Sequence, residues 1–575
     1  MTGRGERLPP TSSRDTSSGQ VAPPRTVTAT LRVSAVMFVA GLAARVATAL
    51  PFPQPGYPDA VYYMAVARRL ASGHGFTIPY IWSFVDVGGR LPAAGVLPIP
   101  SDAHWMPLAA IVQVPFIWVL GPTWLASSLP FWLLGALAVP ITYLLGMDAG
   151  LGRRVSLAAA ALMVVPGAAA PYLSQPDNYS LFMVLAVLAL WLCVRGAAGD
   201  RRAFALGGVV VGLAMLARTD GALLGVPFAV AFGREQWVRW RGSARSPACI
   251  GWGPAIACFG LFLLVMAPWW IRDLSLFGSI SPSSSSGRII WIRTYDEQFS
   301  VGQPSTPATF FSQGLGPLIA SRIGGLGAAI EVIGGTPLLF FLVPFMAIGA
   351  WLHRADAAFR PWLIYGLTFL VFSALVFAVH LPYGMALHSG MALVPQAYLL
   401  TVIGIGAAVS WVAARRPHWD APRATRNFTL MAIAVAWLAG VGATWRLAST
   451  WQGEADYRTA LLDAHPVPAT DRMMSPDPGA YWYRWGITGV PTPYDPLDVV
   501  RQAAALYDVR WLVLEKDQLV PSLEPVLAGT VHPAWLSKPL AVVPPVPGAM
   551  GPDAKLPQAE LFAVCLSPGD ARCGP

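Results

Sequence analysis

Long apolar runs separated by short polar joints dominate the chain from about Val27 to Leu447. A run of roughly 20 apolar residues suits a helix that crosses a bilayer, because backbone amides in hydrocarbon must bond within their own helix. Spans are expected at 30–50, 125–146, 155–172, 179–194, 249–271, 337–352, 361–379, 389–413 and 427–447. Two further short helices fill 204–232 and meet at the polar turn Arg218-Thr-Asp-Gly221, giving about eleven spans.

Arginines orient these spans. One path puts Arg153 and Arg154, then Arg195, Arg201 and Arg202, then Arg234, Arg239, Arg241 and Arg245 on a single side. Arg354, Arg360, Arg415, Arg416, Arg423 and Arg426 fall on that same side. The positive-inside rule makes it the cytoplasm, with the N-terminus cytoplasmic and the C-terminus extracytoplasmic in a cell membrane.

The outer side receives Pro51 to Ala103, a short Pro-interrupted surface helix from Trp105 to Leu120, and a long polar stretch from Arg272 to Gly335. From Ala448 the composition turns soluble, with a helical segment at Ala503–Tyr507 and a buried strand at Arg510-Trp-Leu-Val-Leu-Glu515. The expected fold is an all-α polytopic membrane protein with a small C-terminal α/β domain. Its parts are a disordered cytoplasmic tail (1–26), a membrane domain (27–450) and an extracytoplasmic domain with a Pro-rich tail (451–575).

Composition agrees: 55% of the 575 residues are hydrophobic and 12% are charged, against a charged fraction of about 25% in soluble proteins. Net charge is +9, but the arginines sit in short clusters between apolar runs, which excludes a nucleic-acid groove. The cysteines show no metal spacing. Cys193, Cys249 and Cys258 lie in apolar runs, and Cys565 with Cys573 would suit a disulfide in an oxidising compartment.

Most unusual polar residues gather on the outer face, which favours chemistry at one surface over solute flux through the midplane. Asp59, in Gly56-Tyr-Pro-Asp-Ala-Val-Tyr-Tyr63, opens a membrane-surface helix, where the helix dipole would keep it ionised as a base; the plainer reading is an N-cap. Asp177, in Gln175-Pro-Asp-Asn-Tyr179, has the same two readings. Two such acids could share a divalent metal or divide the roles of base and positioner. Arg218 and Asp220 form either a local ion pair or a cavity-lining pair. Arg272, in Pro268-Trp-Trp-Ile-Arg-Asp273, is either an interfacial anchor or a phosphate ligand. Arg45 would snorkel outward. His380 and His388 flank an outer turn and lack a third zinc ligand in the sequence.

These motifs resemble the GT-C superfamily, specifically the bacterial dolichyl-phosphate-mannose protein mannosyltransferase and aminoarabinose transferase families. Pro58-Asp-Ala-Val-Tyr-Tyr63 leads into Arg69-Leu-Ala-Ser-Gly73-His-Gly-Phe76, and is followed by Asp177, the Arg218-Thr-Asp-Gly221 turn and Pro268-Trp-Trp-Ile-Arg272. Thr219 and Asp220 stand where many relatives carry Pro and Glu. Ser475-Pro-Asp-Pro-Gly-Ala480 and Tyr507 to Glu515 extend the likeness into the C-terminal domain.

The resemblance implies a glycosyltransferase with a polyprenyl-phosphate sugar donor and a glycan, lipid or protein acceptor. Its catalytic pair would be Asp59 and Asp177, with Tyr62, Tyr63, Arg218, Asp220, Arg272 and His388 around the substrate. The competing readings are a lipid-linked-sugar or solute transporter, and a scaffold that binds through its C-terminal domain.

Overall fold

The computed structural model describes residues 27–242, 250–280, 288–380, 384–416, 418–545, 552–566 and Arg572. The expected tail 1–26, Arg245, Cys249, Cys573, the serine run 281–287 and part of the Pro-rich tail lie outside the described residues, as does the side chain of His380.

Seven described helices are long and apolar enough to cross a membrane, and the bent pair Gly152–Val164 plus Gly167–Ser174 makes an eighth. The chain is a multi-pass membrane protein. The bent pair and six of the seven fall at expected spans. Four other expected spans are shorter helices: Arg201–Ala217, Gly225–Trp240, Val343–Leu352 and Arg360–Leu375. Within the expected helix Trp105 to Leu120 lie two short helices, Leu108–Ile111 and Val114–Leu120, packed against the Pro58–Ala71 helix.

The stretch from Arg272 to Gly335 is not polar throughout, and here the sequence reading needs correcting. It holds the 21-residue apolar helix Leu315–Gly335, obscured in sequence by the helix's own glycines and by Arg322 and Glu331. This helix lies along the Ala378–His380 turn and the Ala386–Gly390 helix, with Ile333 against Gly390.

Local chemistry sets the helix ends. Asp177, Asp200 and Asp420 cap the helices Asn178–Ala197, Arg201–Ala217 and Ala421–Ala464 by accepting from their first backbone amides. Val165 and Pro166 interrupt the bent span. The carbonyls of Met163 and Val164 freed there accept from Arg45 Nη2 at 3.1 and 2.9 Å. Arg45 is therefore fully buried rather than snorkelling.

Rise per residue divides the bundle into two ends. Asn178 and Arg195 are separated by 17 residues of helix, about 25 Å at 1.5 Å each; Arg201–Ala217 returns to Arg218, and Gly225–Trp240 leaves again toward Arg239. One end gathers Asp59, Asp177, Arg218 and His388, and the other carries the arginine clusters.

The 44-residue helix Ala421–Ala464 runs continuously across the expected domain boundary at 450 and into the C-terminal domain. Near the site end, β1 (Thr77–Ile78) and β2 (Ile99–Pro100) form a small antiparallel pair. The C-terminal sheet contains β3 (Arg472–Ser475), β4 (Thr488–Pro491), β5 (Val509–Glu515), β6 (Ala541–Val543) and β7 (Ala559–Ala563) in the order β4-β3-β5-β7-β6. β4, β3 and β5 are parallel, and β7 and β6 are antiparallel additions. Cys565, just beyond β7, is disulfide-bonded.

Candidate functional site

Proline at the first turn of the Pro58–Ala71 helix presets its start and puts Asp59 inside that turn, while the N-cap position is Tyr57. Asp177 does cap its helix. Both carboxylates meet His388, whose Nε2 lies 3.6 Å from Asp59 Oδ2 and 3.8 Å from Asp177 Oδ2. The nearest ligand atoms of all three residues fall within 4.8 Å of one another, so His388 meets two aspartates, while the side chain of its expected partner His380 lies outside the described residues.

The surrounding bonds give the members different roles. Asp177 is fully buried and accepts from Tyr57 OH at 2.9 Å and from the Asn178 backbone at 2.5 Å. Asp59 has a side chain 23% exposed, lines the adjoining cleft and accepts from no other side chain among the described residues. His388 Nδ1 meets Asn178 Oδ1 at 2.7 Å, and Asn178 Nδ2 donates to Tyr63 OH at 2.9 Å. That chain assigns the Nδ1 proton and aims Nε2 at the carboxylates. Tyr179 stacks on the imidazole at 3.6 Å.

Burial, then the charge of Asp177, hold the Asp59 carboxyl well above the usual carboxylate range. Burial also pushes Asp177 up, to about 6, against the bonds from Asn178 and Tyr57 and the charge of Arg218. Contrary to the dipole expectation, both carboxyls are therefore pushed up, Asp59 by burial and by its neighbour's charge. One helix terminus contributes too little to overcome burial beside a second acid.

Arg218 donates through Nε to Asp220 at 3.0 Å and to Ser389 Oγ at 3.1 Å. Ser389 also donates to Asp220, which fixes the segment bearing His388. Among the described residues the terminal nitrogens of Arg218 have no hydrogen-bond partner. Arg272 sits apart from the cluster: it pairs with Asp273 at 3.0 Å, donates to the Ser101 carbonyl at 2.8 Å and covers the Trp269 ring at 4.3 Å. Tyr62 accepts from the Asp102 backbone at 2.8 Å, behind the site. Sequence reasoning did not single out Tyr57, Asn178 and Ser389, although Asn178 and Ser389 directly follow residues that it did and Tyr57 lies two before Asp59.

The cluster forms one wall of a cleft of about 1130 Å³ whose other wall is the C-terminal domain. Asp495 fastens the loop at Tyr295–Gln303 to that domain, accepting from Ser300 Oγ at 2.7 Å and from the Val301 and Gly302 amides at 2.7 and 3.1 Å.

Among solved structures, the chain is similar to ArnT from Cupriavidus metallidurans bound to undecaprenyl phosphate, with a TM-score of 0.52 and 14% identity over 96% of this chain and 99% of that one. ArnT in the apo state gives a TM-score of 0.45 and 13% identity over 93% and 97%. The mycobacterial arabinofuranosyltransferase AftD (mutant R1389S) gives 0.38 and 18% over 93% of this chain and 41% of that one. No family model matches the chain, and no curated protein matches it by sequence. The first likeness shows the fold: over nearly its whole length the chain shares the architecture of that structure.

Proposed function

We propose that this chain is a membrane glycosyltransferase that moves a sugar from a polyprenyl-phosphate donor to an acceptor hydroxyl at the extracytoplasmic face. The observation that carries this reading is the Asp59–Asp177–His388 cluster, whose one accessible carboxylate opens from the end of an apolar bundle into a roomy cleft. The fold shared with ArnT bound to undecaprenyl phosphate supports the donor class. Arginine clusters at the opposite bundle end support a cytoplasmic reading of that end.

In this mechanism Asp59 is the base. The acceptor oxygen attacks the anomeric carbon opposite the phosphate and passes its proton to Asp59. The bond from that carbon to the phosphate oxygen breaks, polyprenyl phosphate leaves with the electron pair, and the configuration inverts. Asp177 and Asn178 are positioning residues that hold Asp59 and His388 in register. The unpartnered terminal nitrogens of Arg218 suit the leaving phosphate. An apolar groove of about 320 Å³, lined by Phe204, Val211, Ala222, Phe228, Phe232 and Phe262, suits the prenyl tail.

A divalent cation also fits this donor set, because two carboxylates converge on one imidazole nitrogen whose partner nitrogen is held by Asn178, as metal-binding histidines commonly are. Asp59, Asp177 and His388 would hold it, and when bound it would supply positive charge beside the reacting phosphate.

The test is transfer by purified protein in nanodiscs from polyprenyl-phosphate sugars. Asp59→Asn should cut the rate by about 10²–10⁴-fold with melting unchanged. Full transfer by that variant, or sugar crossing the membrane with its phosphate bond intact, would sink the reading.

A further inference from the structure

The spatial order β4-β3-β5 means that the chain leaves β3 to one side and then crosses back past it to β5. In open α/β sheets such a reversal opens a crevice outside the carboxyl ends of the strands, where ligands bind. Here those ends run into Asp477 after β3, Thr492 and Tyr494 after β4, and Lys516 and Asp517 after β5, and all five residues line the cleft opposite Asp59. A second observation is independent of topology. Thr492 is 6% exposed, and its Oγ1 has no hydrogen-bond partner among the described residues. A buried hydroxyl left unbonded is costly unless a ligand completes it.

We infer that this crevice is the acceptor subsite and that its occupant is an uncharged saccharide; the inference rests on the glycosyl-transfer reading above. Tyr295, Tyr494 and Trp82 offer aromatic faces for sugar rings, while Asp296, Asp517 and Glu524 accept bonds from ring hydroxyls. A lipid acceptor would need continuous apolar walls. An anionic acceptor would meet these carboxylates with Lys516 as the lone lysine in the lining. The volume of about 1130 Å³ exceeds the roughly 300–1,000 Å³ typical of a small-ligand site, which leaves room for a donor sugar and an acceptor together.

The experiment uses the full chain in nanodiscs. The probes are mannobiose, galactobiose, maltose and arabinobiose, with a Ser/Thr-rich peptide for comparison, followed by saturation-transfer NMR and calorimetry. At least one disaccharide should bind. Thr492→Val, Tyr494→Ala and Asp517→Asn should each weaken it by about tenfold, raising the acceptor KM with kcat little changed. Thr492→Val should leave the melting temperature unchanged, since it removes no bond within the protein. Binding of the peptide but of no disaccharide, or disaccharide binding indifferent to all three substitutions, would overturn the subsite. Asp59-dependent transfer with an acceptor KM insensitive to them would sink the subsite alone, whereas no transfer by the unaltered chain would sink the underlying reading.

Discussion

Two buried charge clusters, one in the C-terminal domain and one at the end of the bundle, are built on opposite principles. Glu515 receives Arg458 Nε and Nη2 at 2.9 and 2.8 Å, Tyr457 OH at 2.8 Å and Tyr481 OH at 2.9 Å, so both oxygens are bonded and face a guanidinium that Asp477 shares at 3.4 Å. Asp59 and Asp177 instead face a single imidazole nitrogen at 3.6 and 3.8 Å, with a surplus of negative charge. The closed cluster fastens the long Ala421–Ala464 helix to β5. The open one has room for a proton, a cation or a substrate. Incomplete satisfaction of buried charge is what separates machinery from scaffolding here.

The largest expected effect comes from opening the closed cluster. Arg458→Met leaves Glu515 buried without its cation, and losing one partner of a buried pair costs about 3–5 kcal/mol. Calorimetry should show the C-terminal domain melting earlier, whereas Asp59→Asn leaves that transition in place. Equal melting of Arg458→Met and the unaltered chain would erase the contrast between the clusters.

A smaller effect comes from loosening the open cluster from behind. Asn178→Ala removes the partner of His388 Nδ1 and of Tyr63 OH without touching substrate. Transfer should fall by about 10–100-fold. If a divalent ion is held there, excess manganese should restore part of the rate and the variant should lose activity at lower chelator concentration. An unchanged rate would show that the imidazole needs no support.

The open cluster was half legible in the sequence. Asp59 and Asp177 stand out because acids are scarce among apolar runs, and their placement at one shared end of the bundle followed from the arginines. His388 was visible as a residue but not as their partner, because the contact joins segments far apart in the chain. Asn178 was hidden because an asparagine beside a capping aspartate looks like ordinary helix punctuation. The Leu315–Gly335 helix escaped because its own glycines, with Arg322 and Glu331, dilute its apolar character. The β3-β5 crevice was beyond reach for a different reason: strand order comes from packing, and the sequence shows only where strands begin and end.

Acidification offers the gentlest way to separate the clusters. Burial, Asp177 and Asp477 raise the proton affinity of Asp59, and Arg218 opposes them. A base must lose its proton to act, so transfer should rise about tenfold per pH unit below the Asp59 pKa and level off above it. Glu515 behaves in the opposite sense: burial alone would raise it, but the charge of Arg458 and the bonds from Arg458, Tyr457 and Tyr481 bring it below its ordinary value. A lowered native pKa gives stability that is present above the unfolded value of about 4.3 and lost as pH falls through the native one. Between the two titrations the protein should be folded but inactive. Transfer rates and melting temperatures measured together from about pH 8 to about pH 4 should show the rate falling first. If rate and melting temperature fell together, the lost activity would belong to unfolding and Asp59 would not be the titrating base.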